Sequence, residues 1–128
     1  LLSRAKNIVL AMAEDVLIKG RCENGAVYDH SGRDSAVPES KFVWWVQAEG
    51  VVGFVNAYKL SGDEKYLDAA LTCWDYTEKH IINPNGEWFA TGDDSTSDNN
   101  TQFIVNAWKC PYHNSRAALE IFERHSRM

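Results

Sequence analysis

Residues Phe42 through Phe54, read in order as FVWWVQAEGVVGF, are apolar on nearly every face of a helix. A helix of that kind does not rest on a surface; other elements have to wrap it. Gln47 and Glu49 nevertheless sit inside it. A carboxylate in such surroundings is costly unless it is paired or performs chemistry, which makes Glu49 a candidate functional group. Trp44 and Trp45 offer flat faces that suit core packing and also suit stacking on a sugar ring. Taken alone, a tryptophan pair in an apolar helix reads as core first.

The rest of the chain supplies the wrapping. From Ser3 to about Lys19, residues Ala5, Ile8, Val9, Met12 and Val16 recur at helical spacing, and Gly20 is a stop signal. The apolar helix itself spans about 42–60. A further helix over 63–82 carries Tyr66, Ala70, Trp74 and Ile81 on roughly one face, with charges opposite. Ser61 and Glu64 have the spacing of a capping box at its start, and Asn83-Pro84-Asn85-Gly86 is a turn cluster beyond its end. The last helix covers 111–125. In the first long connection, Gly25-Ala26-Val27-Tyr28 followed by Asp29-His30-Ser31-Gly32 predicts a short hairpin. The second contains a polar tract, Gly92 to Asn100. The pattern is all-α, made of antiparallel helical hairpins in one domain over residues 1–128, and it excludes a mixed α/β sheet.

The start of the last helix carries chemistry. Trp108-Lys109-Cys110-Pro111-Tyr112-His113-Asn114-Ser115-Arg116 places a proline where a helix can begin, since its missing N–H costs nothing there. His113 and Arg116 are three residues apart and share a helix face. An imidazole in that position can serve as a base, and a neighbouring guanidinium can steady an oxyanion. The plain alternative is a histidine and an arginine at an ordinary helix start.

Charge and composition narrow the classes. The 128 residues carry 13 basic and 18 acidic side chains, a net charge of −5, with no basic stripe of the kind nucleic acid requires. No apolar run reaches the ~20 residues of a membrane span, and no signal peptide is visible. Three cysteines, Cys22, Cys73 and Cys110, are odd in number and lack metal-ligand spacing, which predicts reduced thiols in a cytoplasmic protein and no metal site.

Four phrases, Trp44-Trp45-Val46-Gln47-Ala48-Glu49, Leu60 through Leu67, Gly86-Glu87-Trp88-Phe89 and Trp108 through Arg116, together resemble the N-acylglucosamine 2-epimerase superfamily, most of all its cellobiose 2-epimerase branch. The resemblance implies an (α/α)6 barrel, of which this chain, beginning without methionine, would be the C-terminal third. Helices of such a barrel alternate between inner and outer rings, so 42–60 and 111–125 would be inner helices and 63–82 an outer one. That arrangement puts Glu49 and His113 in one cavity.

The resemblance also implies a reaction. A base removes the C2 proton of a ring-opened reducing sugar, an enediolate forms, and the proton returns on the opposite face. His113 corresponds to one acid/base; the other, in a His-x-x-Glu motif, would lie upstream of Leu1, so these residues alone are expected to be inactive. By the same reading Glu49 holds a sugar hydroxyl or tunes the histidines, and Arg116 supports the oxyanion or orients Glu49. Trp45 and Trp108 stack on sugar, with Trp44 and Gln47 as further substrate contacts. The partner is a small sugar, probed best as a β-1,4-linked disaccharide such as cellobiose, with no cofactor or metal. A truncated ring also predicts a homodimer or association with the missing N-terminal part. The N-acylglucosamine branch, an aldose-ketose isomerase, a glycoside hydrolase with paired carboxylates, and a noncatalytic sugar- or protein-binding module are the alternatives.

Overall fold

The computed structural model describes residues 1–29, 41–93 and 104–125. Four helices account for most of them: α1 (Leu2–Lys19), α2 (Trp44–Ser61), α3 (Glu64–His80) and α4 (Tyr112–His125). Two short strands, β1 (Lys41–Val43) and β2 (Thr91–Asp93), pair antiparallel with Phe42 opposite Gly92. The apolar helix starts two residues later than its pattern implies, because Phe42 and Val43 belong to β1.

α2 is the centre of the assembly, packing against α1, α3 and α4. Its all-round apolar composition has that cause. Val46, Val51, Phe54 and Ala57 meet Tyr66, Ala69, Ala70 and Cys73 of α3 in the main core, with Val27 of the first connection closing one end. Ala48 and Val52 on another face receive Ala117 of α4. Around the strands, Ala26, Phe42, Trp44, Tyr76 and Ile81 form a further cluster. α1 lies over the main core through Leu10, Ala13 and Leu17 but buries no residue fully. It leaves Leu2, Ile8, Met12 and Ile18 exposed.

The turn between α2 and α3 differs in one detail from the capping-box expectation. Ser61 is the last residue of α2, and its hydroxyl donates to the Ala57 carbonyl at 2.7 Å. Gly62 closes the helix in the left-handed region (φ 74°), its N–H donating to the Tyr58 carbonyl at 2.7 Å. Asp63 is the residue that caps α3, accepting from the Lys65 N–H at 3.2 Å. The reversal occupies only Gly62 and Asp63, so Ser61 still lies within the preceding helix and the cap passes to the aspartate.

Within residues 20–29 the predicted hairpin amounts to one antiparallel bridge, Arg21 to Val27, with Cys22 N–H donating to the Ala26 carbonyl at 2.8 Å. His30, Ser31 and Gly32 lie outside the described residues, as does the polar tract from 94 to 100. The described ladder, β1 with β2, instead fastens the connection that enters α2 to the one that leaves α3. Gly25 makes the tight loop possible. It sits at φ +94°, and a Cβ there would come within 2.6 Å of the Thr72 carbonyl oxygen. Gly25→Ala is expected to cost about 1–3 kcal/mol, from the left-handed backbone and the collision with another helix's main chain. The check is a lower urea midpoint at unchanged slope; an unaltered midpoint would refute the close approach.

No helix among the described residues is long and apolar enough to cross a membrane.

Candidate active site

Pro111 stands immediately before α4, and its carbonyl accepts the Ser115 N–H at 3.0 Å. With φ fixed by its ring and no N–H to satisfy, it sets the direction in which the helix leaves. His113 and Arg116 then project from one face toward α2, where both reach Glu49. His113 Nδ1 lies 2.9 Å from Glu49 Oε1, and Arg116 Nη2 donates to Glu49 Oε2. Each oxygen of the carboxylate therefore has its own partner. Arg116 uses Nη1 on Glu120, which also accepts from Arg124 Nη2 at 2.9 Å. The guanidinium is thus shared between two carboxylates.

Glu49 is less enclosed than its helix implies, with 34% of its side chain exposed. Partial burial pushes its carboxyl upward, but hydrogen bonds from Arg116 and His113 and their charges outweigh that push, and the carboxyl titrates below the ordinary value. With Glu49 ionised, the contact is a hydrogen bond in which His113 Nδ1–H donates to Oε1; in a neutral imidazole that tautomer places the lone pair on Nε2. A carboxylate depressed on folding adds stability that is complete above its unfolded titration and is lost as pH falls through the folded one. The stability gap between the wild type and Glu49→Gln should therefore narrow on acidification below the ordinary carboxylate range. Urea midpoints at neutral and acid pH check this; a gap that stays constant would contradict it.

Trp45 lies one helical turn before Glu49, and its ring is 5.8 Å from the His113 ring, tilted by 39°. Both Trp45 and Glu49 line a groove of about 410 Å³ between α1 and α2, together with Met12, Val16 and Asn56. Tyr112 meets the His113 ring edge-on at 4.9 Å. Trp108 projects with 90% of its surface exposed.

Two of the expected substrate contacts point elsewhere. Gln47 is fully buried: its Oε1 accepts the Val27 N–H at 2.8 Å, and its Nε2 donates to the carbonyls of Val27 and Val43 at 2.8 and 3.2 Å. Trp44 is 9% exposed and packs with Phe42, Tyr76 and Ile81. The helical period explains the separation, since residues 45 and 49 share a face while 44 and 47 turn away from it. His80 stacks on Tyr76 at 4.6 Å; His30 and the side chain of His125 lie outside the described residues.

A second cluster adjoins the first and was not legible as one in the sequence. Glu87 Oε1 accepts from Lys109 Nζ at 3.1 Å, from Asn114 Nδ2 at 2.8 Å and from the Trp88 N–H at 2.8 Å. Burial pushes the Glu87 carboxyl upward, and these donors more than offset it, so it too titrates low. Lys109 is fully buried, its ammonium 5.2 Å from the centre of the Trp44 ring. Gly86-Glu87-Trp88-Phe89 is visible as a phrase, but no spacing rule joins residue 87 to residues 109 and 114. Among the described residues, no group of three or more His, Cys, Asp or Glu side chains is placed to hold a metal ion.

A family profile described as N-acylglucosamine 2-epimerase matches residues 1–117. The cellobiose 2-epimerase of Ruminococcus albus is 41% identical over 104 residues, covering 80% of this chain and 26% of that protein. Among solved structures, a sugar epimerase from a ruminal bacterium superposes with a TM-score of 0.79 at 34% identity, covering 95% of this chain and 31% of its own. The cellobiose 2-epimerase from Bacillus thermoamylovorans B4167 gives a TM-score of 0.76 at 36% identity, covering 92% and 30%. The chain spans between 26% and 31% of the length of these relatives. Its helices match part of an α/α barrel. With the profile extending across both Glu49 and His113, the chain belongs to the N-acylglucosamine 2-epimerase family.

Proposed function

We propose that this chain supplies one half of the acid/base pair of a carbohydrate 2-epimerase, acting on a β-1,4-linked disaccharide such as cellobiose. The observation that carries the reading is the contact of His113 Nδ1 with Glu49 Oε1, in a chain whose relatives include cellobiose 2-epimerases. Glu49 holds the imidazole with Nε2 unprotonated. Nε2 takes the C2 proton of the ring-opened sugar, the C2 electron pair conjugates with the C1 carbonyl, and an enediolate forms. A second histidine, outside these 128 residues, delivers a proton to the opposite face of C2, and the carbonyl is restored with C2 inverted.

Arg116 acts as an orienter of Glu49 in this scheme. Its charge is divided between Glu49 and Glu120, which leaves less of it for an oxyanion. Trp45, 37% exposed beside His113, and Trp108 offer faces to sugar rings. Trp44 and Gln47 serve the framework. The reaction as written needs no cofactor. Free thiols at Cys22, Cys73 and Cys110 suit a reducing, cytoplasmic compartment.

The test is exchange of the C2 proton of cellobiose in heavy water, followed by NMR, on the 128-residue chain and on a polypeptide with an upstream family segment added. Exchange only in the longer protein supports the reading. No exchange in either, with both folded, would sink it. The exposed apolar side chains of α1 also favour association, with a second copy or with the upstream region. Light scattering of the 128-residue chain should give more than a monomer; a monomer that binds no apolar dye would count against this.

A further inference from the structure

The Glu87 cluster has no part in the proton transfer just described, yet it grips the segment that carries His113. One oxygen, Glu87 Oε1, accepts three donors from two parts of the chain: the neighbouring Trp88 N–H, the buried Lys109 ammonium and the Asn114 amide. Lys109 is pinned along its backbone as well, because Asn106 Oδ1 accepts its N–H at 2.8 Å and the Asn106 N–H donates to its carbonyl at 3.1 Å. Trp44, the first residue of α2, lies beneath the ammonium. Asn114 directly follows His113 in the first turn of α4.

An ion pair in this position is a poor device for stability alone, because apolar side chains of similar size often hold a buried site as well or better. What charged, directional bonds add is a fixed orientation. The first turn of α4 is therefore held from two sides. Glu49 takes the His113 ring, and Glu87 takes the adjoining residue and the approach to the helix.

We propose that Glu87 is a positioning residue, which acts through Asn114 and Lys109 to hold the first turn of α4 where His113 Nδ1 meets Glu49. The proposal rests on the reading of His113 as an acid/base, but its test reads the imidazole itself. The 128-residue chain is labelled with 15N-histidine, His113 is assigned by its loss in His113→Asn, and the ring nitrogen shifts give the ratio of its two tautomers. Asn114→Ala removes one donor to Glu87 while leaving the Glu87–Lys109 pair, so it strands no buried charge. The wild type should favour the tautomer protonated on Nδ1, and Asn114→Ala should lower that preference by about fivefold, the weight of one ordinary hydrogen bond. Asn114→Asp, which sets a second carboxylate against Glu87, should lower it further. The pair Glu87→Gln with Lys109→Met loses the Lys109 contact and leaves Asn114 only an uncharged acceptor, and it should lower the preference as well.

An unchanged tautomer ratio in folded Asn114→Ala would overturn the proposal, as would an unchanged ratio in the folded double variant. Failure of the epimerase reading looks different. It appears as absent C2 exchange in the longer protein, whatever the tautomer ratio does.

Discussion

His113→Asn, placed in a polypeptide that also carries the upstream region, is expected to lower C2 exchange on cellobiose by about 100- to 10,000-fold, the range a positioned acid/base contributes. Asparagine keeps a polar group of similar reach toward Glu49 but cannot take up a proton. Affinity for the sugar should change little, because Trp45 and Trp108, the proposed sugar-facing rings, remain in place. Paired measurements of exchange rate and sugar binding check this. A rate within a few-fold of the wild type would remove His113 from the chemistry. Equal losses of rate and affinity would make it a binding residue.

The largest expected effect on stability belongs to Glu87→Gln. Lys109 is fully buried and Glu87 is its carboxylate partner; removing that charge leaves an ammonium inside the protein, at a cost of about 3–5 kcal/mol. Against total stabilities of about 5–15 kcal/mol this is a large share. Adding Lys109→Met should recover most of it, since the stranded charge is then gone and an apolar side chain lies over Trp44. Urea midpoints of the two variants provide the measurement. A single variant as stable as the wild type, or a double variant no better than the single, would show that the pair is solvated in practice.

These two sites differ in how readable they are from sequence. Glu49 and His113 stand out because each breaks a local pattern: a carboxylate in an apolar helix, and a histidine beside a helix-starting proline. α2 and α3 were legible for a related reason, since a long all-round apolar run marks the first and an apolar face marks the second, and their ends moved by only a residue or two. Glu87 and Lys109 break nothing locally. A glutamate in a turn and a lysine in the approach to a helix look solvated, and only the three-dimensional path brings one to the other. The same limit governs the strands. Three-residue segments such as Lys41–Val43 carry no periodic signal, and their pairing with Thr91–Asp93 spans about fifty residues. Gln47 misleads in the other direction, because a polar side chain next to a candidate site reads as functional until its hydrogen bonds are counted.

Those hydrogen bonds have a mechanical meaning. Val27 gives its N–H to Gln47 Oε1 and receives Gln47 Nε2 on its carbonyl, both at 2.8 Å. A side-chain amide here imitates the edge of a neighbouring strand, using donor and acceptor at once. The loop around Val27 is in effect spliced to the helix that bears Glu49. Swinging it outward would break both bonds together inside the core, leaving the Val27 N–H and carbonyl without these partners and the Gln47 amide short of two bonds. This wall is consequently expected to move with α2 as one part.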